Sequence, residues 1–342
     1  MTSEAVRQAA AAPDLNHRDP EYLALVREVR ARLVSVYQGT ATGWRPHLIG
    51  GSGTAAVEAM ITSCVGSGPV LVVENGYYSA RIREILEVHR IPYRPLSFEW
   101  EQPINVGLIA KKLREERFEA LVMTHDETTL GRLNPVAEVA AVCVSEGVRV
   151  LVDAMSSFGA DELELHGVHA VAASANKCLH GLPGVGFVLV ADALSEAMSA
   201  FPRRIYYLHL PMLAGENPPL TPPVPAMQAL RQALRENPGG QKQRAASYRE
   251  KAALLRRELA GRGFEFAVPH GESSLAVLSP TLPPGWSYDR WFEANYAAGF
   301  VLYGTKAHLR ERFFQVSVMG ETTVEHLTQW LEVVDRLLDR RA

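Results

Sequence analysis

The feature that most narrows the fold is an alternation, through the first two-thirds of the chain, of short apolar runs with helically spaced segments. Pro69-Val70-Leu71-Val72-Val73, Ala120-Leu121-Val122-Met123-Thr124 and Val148-Arg149-Val150-Leu151-Val152 read as strands buried on both faces. Thr54 to Cys64, Ala80 to His89, Val106 to Glu116 and Pro135 to Glu146 carry helical spacing around them. This order predicts an α/β fold, a mostly parallel sheet with helices on both sides. Ligands in such sheets bind beyond the carboxyl ends of the strands. Val185 to Val190 adds a further strand.

The run Glu216-Asn217-Pro218-Pro219-Leu220-Thr221-Pro222-Pro223-Val224-Pro225 interrupts regular structure, because proline offers no ladder donor and clashes inside a helix. Beyond it, Ala226 to Glu236 and Gln241 to Gly261 read as helices. Ser274 to Leu278 and Phe314 to Val318 are strand-like, and an amphipathic helix from Thr323 to Leu338 closes the chain. The expected organisation is a large α/β domain over residues 1–222 and a smaller α+β domain over 223–342. A chain of 342 residues is long enough for two cores.

Composition excludes several function classes. A formal net charge of -3 gives no reason to expect nucleic acid or an anionic membrane as partner. Cys64, Cys143 and Cys178 show no CxxC or metal-ligand spacing, so buried free thiols and no metal site are expected. There is no basic segment leading into an apolar one at the start, and no run approaches ~18 apolar residues. A soluble, cytoplasmic protein is the expectation.

The chemistry concentrates in Ser174-Ala175-Asn176-Lys177-Cys178-Leu179-His180-Gly181-Leu182-Pro183-Gly184. Apolar runs flank Lys177 on both sides and predict its burial. A buried ammonium is costly, and desolvation lowers its pKa toward the nucleophilic amine that forms Schiff bases. A lysine snorkelling out of a loop is the ordinary alternative. Asp153 ends the run Val148 to Val152, where a carboxylate needs a partner. A protonated pyridine nitrogen, as in pyridoxal phosphate (PLP), is a suitable one, and a helix N-cap the commoner role. The two residues lie at the ends of successive strands, which a parallel sheet brings over one edge.

Other segments converge there. Gly50-Gly51-Ser52-Gly53-Thr54 opens a helix, where glycines, free amides and the helix dipole suit an anion. Asn75-Gly76-Tyr77-Tyr78 follows a strand and offers Tyr78 for stacking on a planar ring, or merely for packing. His125-Asp126-Glu127-Thr128-Thr129 follows another and supplies hydroxyls. Successive strand ends carrying polar and aromatic residues build a cofactor site.

The segments Gly51-Ser52-Gly53-Thr54 with Val57-Glu58-Ala59-Met60, Glu127-Thr128-Thr129 with Gly131, Val152 to Gly159, and Ser174 to Cys178 resemble the class V, fold-type I PLP-dependent aminotransferases. The likeness is nearest to 2-aminoethylphosphonate:pyruvate transaminases and more distant to alanine:glyoxylate transaminases. It implies a mostly parallel mixed sheet in a large domain, with a smaller α+β C-terminal domain. It further implies that Lys177 carries the internal aldimine and shuttles the proton. Asp153 pairs with the pyridinium nitrogen, Tyr78 stacks on the ring, and Thr128 contacts its phenolic oxygen. Ser174 belongs to the same cofactor-binding set. Ser52, Gly53 and Thr54 cradle the phosphate. Thr221 matches a position that reaches the phosphate of a neighbouring subunit, which implies a homodimer with shared sites; an ordinary loop threonine is the alternative.

Two departures from the family pattern stand out. Thr2-Ser3-Glu4-Ala5-Val6 aligns just after the Asn/Thr-Pro-Gly-Pro loop that lines the family's substrate pocket, so either the recorded sequence starts late or the pocket is more open. In Phe313-Phe314-Gln315-Val316-Ser317-Val318-Met319-Gly320, Gln315 stands where the family has an arginine for the substrate's acidic group. Glutamine offers no charged fork. Either Arg310 or Arg312 compensates by a register shift, another residue binds the acid, or the donor lacks it. The expected activity is transfer of an amino group from a small primary amine or aminophosphonate-like donor to a 2-oxo acid. A PLP-dependent lyase or decarboxylase is the alternative, and a PLP-binding protein without turnover is a third.

Overall fold

The apolar runs pair into one seven-stranded sheet among the residues described, 2–37 and 43–339 of a computed structural model. In chain order the strands are β1 (Trp44–Gly50), β2 (Val70–Glu74), β3 (Tyr93–Ser97), β4 (Ala120–Thr124), the short pair β5 (Asp126–Glu127) and β6 (Arg132–Leu133), β7 (Arg149–Asp153), β8 (Ala170–Ser174) and β9 (Val185–Ala191). The sheet order is β1-β9-β8-β7-β4-β2-β3. From β3 across to β8 every pair is parallel, while β9 runs antiparallel to both β8 and β1. The mixed, mostly parallel sheet expected from the family resemblance is therefore present. The short pair β5–β6 forms a separate hairpin just past the end of β4.

Helices cover both faces: α1 (Glu4–Ala10), α2 (Pro20–Val34), α3 (Gly53–Cys64), α4 (Tyr77–Val88), α5 (Val106–Glu115), α6 (Val136–Ser145), α7 (Asp192–Ala197) and α8 (Leu210–Leu213). Because side chains alternate along each strand, the central runs feed two cores at once. Leu71, Val73, Leu121, Met123, Val150 and Val152 pack on one side. Val70, Val72, Val122, Leu151, Ala172 and Val188 pack on the other, against α3 and α4. Among the described residues, no helix is long and apolar enough to cross a membrane.

The edge strands β1 and β3 carry Pro46 and Pro95 and are only partly buried, with no residue of β3 buried and only His47 and Ile49 of β1. Proline is tolerated there because an outward-facing position needs no ladder donor. These two strands were not expected from the apolar pattern, which reports only strands buried on both faces.

The chain beyond the proline-rich run forms α9 (Val224–Arg235), α10 (Gly240–Gly261), β10 (Val277–Leu278), α11 (Tyr288–Ala297), β11 (Tyr303–Gly304), β12 (Phe314–Ser317) and α12 (Val324–Asp339). Tyr248, Leu255, Trp291, Phe314, Trp330 and Val334 build its core around the small sheet β10-β12-β11. Helix α9 stands apart. Its Ala226, Met227, Leu230 and Leu234 join the core beneath the large sheet, and Ala229 and Ala233 meet Val6 of α1. We propose that the division between the units follows α9, rather than residue 222 as the proline run suggested.

Helix α3 sits directly on the sheet because Gly186 of β9 leaves room for it. A Cβ at Gly186 would lie 3.0 Å from both the Ser52 carbonyl oxygen and the Ala56 Cβ. Gly186→Ala should destabilise the protein by about 1–3 kcal/mol, and Gly186→Val by more, since the neighbours are backbone and a core methyl. Urea denaturation checks this; an unchanged midpoint would show that α3 yields without cost.

Candidate active site

Strand β7 delivers Asp153 to the carboxyl edge of the sheet, in register with Ala172 of β8. Asp153 is 9% exposed, and among the described residues its carboxylate has one hydrogen bond, from the Met155 N–H (3.0 Å). Burial raises its pKa to about 6. The Met155 bond opposes that rise, the Glu127 charge reinforces it, and Arg81 and Lys177 lower it. The carboxylate is thus desolvated and short of a cation.

Strand β8 ends nearby, with Ser174 and Ala175 buried, and the chain then turns through Lys177. Lys177 is exposed, not buried as its flanks suggested. The apolar neighbours describe the strand, whereas Asn176 and Lys177 have already left it at the open edge. The turn itself is fixed: Ala175 N–H donates to Val185 O (3.0 Å), Gly181 N–H to Ala175 O (2.8 Å) and His180 N–H to Lys177 O (3.0 Å). His180 takes a left-handed φ of 64° and packs on Tyr248 of α10, with Nε2 2.6 Å from the phenol oxygen. Burial, together with the Arg244 charge, lowers the His180 pKa to about 3. The turn therefore rests on the C-terminal unit through a neutral imidazole. Cys178 is fully buried, its Sγ donates to Ser156 O (3.0 Å), and burial raises its thiol pKa. That is the environment of an unreactive structural thiol.

The start of α3 lies against the same edge. Gly51 N–H donates to Gly184 O (2.9 Å), tying it to the lysine turn. Ser52 is the N-cap, its Oγ accepting from Ala55 N–H (3.4 Å). A Cβ at Gly53 would overlap the Met155 side chain, so glycine there lets the loop close onto the residues that follow Asp153. Ser52 and Thr54 are exposed.

Tyr78 lies in the first turn of α4, half-buried, with its ring edge-on to Tyr77 at 5.5 Å. The buried Glu127 carboxylate accepts the N–H of Tyr78 (3.3 Å) and Ser79 (2.9 Å), both Ser79 and Thr129 hydroxyls (2.9 and 2.7 Å), and the Thr129 N–H (3.2 Å). Thr128, on the same hairpin, is half-buried, and its carbonyl accepts from Gln315 Nε2. Arg81 donates from Nη1 to Thr54 Oγ1 (3.3 Å). One chain thus brings Ser52, Gly53, Thr54, Tyr78, Thr128, Asp153, Ser174, Lys177 and Gln315 to one edge of the sheet.

The Aminotransferase class-V family model matches residues 51–261. A 2-aminoethylphosphonate–pyruvate transaminase of Burkholderia thailandensis is 34% identical over 325 residues, 92% of this chain and 88% of that relative. The chain belongs to the class-V aminotransferases. Another relative so named, from Paraburkholderia xenovorans, is 34% identical over 85% of this chain and 81% of its own length. The solved subgroup IV aspartate aminotransferase of Thermus thermophilus shares 26% identity at a TM-score of 0.89, covering 98% and 97% of the two chains. An alanine–glyoxylate aminotransferase from Nostoc sp., at 23% identity and a TM-score of 0.93 over 98% and 92%, shares the fold. The protein is a fold-type I, PLP-dependent transaminase, and the lyase or decarboxylase alternative is not favoured.

Thr221 was expected at the phosphate of a neighbouring subunit and not at this edge. Thr221 of this aminotransferase is exposed on the proline-rich loop and makes no side-chain hydrogen bond among the described residues. That loop borders a cavity of about 60 Å³ that Arg30, Gly50 and Tyr207 also line. Neither arginine near Gln315 takes its place, since Arg310 pairs with Asp289 (2.5 Å) and Arg312 with Glu101 (2.7 Å). Sequence reasoning missed Arg81 and the capping role of Glu127. For Arg81 a signal existed: it follows Tyr78 by three residues, one helical turn on the same face.

Asp153 has a consequence for stability. The folded carboxyl holds its proton more tightly than the unfolded one, so stability is full below the unfolded pKa and falls as pH rises through about 6. A shift of this size corresponds to roughly 3 kcal/mol at most. Urea denaturation of the cofactor-free protein should show that loss between about pH 4 and 6, and Asp153→Asn should flatten the slope. Identical slopes in both proteins would remove Asp153 as its source.

Proposed function

We propose that this aminotransferase moves an amino group from a small primary amine or aminophosphonate-like donor to a 2-oxo acid, through Lys177. The observation that carries the reading is the juxtaposition of Lys177 and Asp153 beyond adjoining parallel strands, with the Ser52–Thr54 helix start packed against Met155. The substrates in the relatives' names, 2-aminoethylphosphonate and pyruvate, set the substrate class.

The residues suit PLP. Asp153 is a buried carboxylate without a cationic partner within 4.0 Å among the described residues, as a protonated ring nitrogen requires. The Ser52 and Thr54 hydroxyls and the first amides of α3 suit a phosphate. When bound, PLP supplies the electron sink that stabilises negative charge at the substrate carbon.

Lys177 would hold the cofactor through its side-chain amine and, once freed by the substrate amine, would carry the proton that leaves the donor carbon. Its exposed position at the end of a fixed turn gives it the reach to do both. Asp153 would keep the ring nitrogen protonated. Tyr78 would stack on the ring, Thr128 would contact its phenolic oxygen, and Ser174, at the end of β8, would belong to the same set. Ser52, Gly53 and Thr54 would hold the phosphate.

The exposure of Ser52, Thr54, Lys177 and Thr221 in a single chain supports a homodimer in which Thr221 would reach the partner's phosphate; a cytoplasmic location is part of the same proposal. Carbanion chemistry of this kind needs shielding from water, which a second chain would provide.

Lys177→Ala should abolish the borohydride-reducible linkage to PLP and lower turnover by at least about 10⁴-fold, read from cofactor absorbance and single-turnover mixing. Retention of the linkage would move the role to another lysine. A donor panel addresses Gln315, whose amide is spent on the Thr128 and Thr129 carbonyls. Gln315→Arg should raise kcat/KM for acidic donors over matched uncharged amines by about 10- to 100-fold. A wild type that already favours phosphonates as strongly would assign the acid group to a different cation.

A further inference from the structure

We infer that Arg81 is a phosphate ligand for the cofactor, and that it joins the phosphate loop to the ring-stacking tyrosine. This rests on the placement of PLP between Tyr78 and the start of α3 proposed above.

The argument begins with helix geometry. Arg81 sits one turn after Tyr78 on α4, and its guanidinium carbon lies 5.1 Å from the Tyr78 ring centre and 5.6 Å from that of Tyr77. From there the side chain reaches across to α3, where Nη1 donates to Thr54 Oγ1 at 3.3 Å. One side chain therefore spans the aromatic face at one end and the helix start at the other. Those are the two surfaces that would hold the ring and the phosphate.

Charge points the same way. Arginines elsewhere on this surface are neutralised by carboxylates: Arg83, two residues further along α4, lies 3.2 Å from both Glu74 and Glu87. Among the described residues, Arg81 has no carboxylate oxygen within 4.0 Å. Its one hydrogen bond to a side chain goes to a neutral hydroxyl, which leaves most of its five donors free. A planar guanidinium with a free fork beside a helix N-terminus matches phosphate geometry, whereas the Thr54 hydroxyl alone would not demand a charge. The aromatic faces beneath it keep the fork oriented.

An arginine that only packs on tyrosine predicts something different from one that binds phosphate. Comparing PLP with pyridoxal, which lacks the phosphate, separates the two. Both ligands would be titrated into cofactor-free wild type, Arg81→Gln and Arg81→Lys, with affinity read from protein fluorescence and cofactor absorbance. Inorganic phosphate would serve as a competitor. Arg81→Gln should weaken PLP by about 10- to 100-fold while leaving pyridoxal affinity close to wild type. Arg81→Lys should recover part of the loss, and phosphate should compete with PLP less well in Arg81→Gln than in wild type. Equal losses for PLP and pyridoxal would reassign Arg81 to packing alone, and no loss for either would remove it from the site. Wild-type protein that binds neither ligand would instead sink the cofactor placement, so the two failures are distinct.

Discussion

The site hangs on a buried carboxylate that does no chemistry. Helix α4 starts after Gly76, which has no side chain to cap it, so the helix has unsatisfied amides at the end that carries Tyr78. Glu127, which follows β4, supplies the cap from another part of the chain and takes two α4 amides, the Ser79 and Thr129 hydroxyls and the Thr129 amide. An ionised carboxylate is tolerable in the interior only with such complete hydrogen bonding. The result is a rigid joint between the aromatic at the start of α4 and the hairpin that bears Thr128. Neither would have a defined position relative to Asp153 without it.

That joint has an electrostatic cost. The Glu127 charge adds to the upward pKa shifts of Asp153 and of the fully buried Asp126, and Asp161 is raised to about 6 by burial as well. The carboxyl edge of the sheet is therefore rich in carboxyl groups, with Lys177 and Arg81 at its rim. A ligand that is cationic at its ring nitrogen and anionic at its phosphate matches this gradient, with the cation directed inward and the anion toward α3. Electrostatic order, more than shape, gives the site a direction.

How much of this was legible depended on range along the chain. The central strands β2, β4, β7, β8 and β9 announced themselves because burial on both faces leaves an unbroken apolar run. Edge strands β1 and β3 did not, since proline and exposure erase that signature. Asp153 ends β7 and Lys177 lies three residues beyond the end of β8, so the strand pattern was enough to place both at one edge of the sheet. The exposure of Lys177 was not, because flanking residues report on strands and not on the turn between them. The cap by Glu127 spans 48 residues to Ser79, and no local pattern encodes such a partner. The place of helix α9 was not legible for a related reason: a proline run marks a break in regular structure, but only packing decides which core the next helix joins.

Gln315 shows how closely selectivity and cofactor binding are joined in this chain. In the small sheet it pairs with Tyr303, and its amide crosses between the two units to the Thr128 carbonyl. The residue standing at the family's acid-binding position thus restrains the loop assigned to the cofactor's phenolic oxygen. An arginine there would have to choose between a backbone carbonyl and a substrate anion, and a dianionic phosphonate would win that competition by charge. Glutamine faces no such contest and stays with the loop. Gln315 makes one bridge between the C-terminal unit and the sheet edge, and His180 and Tyr248 make a second through the lysine turn. Two bridges from one unit, one to the Lys177 turn and one to the Thr128 loop, tie the position of the small unit to the candidate site.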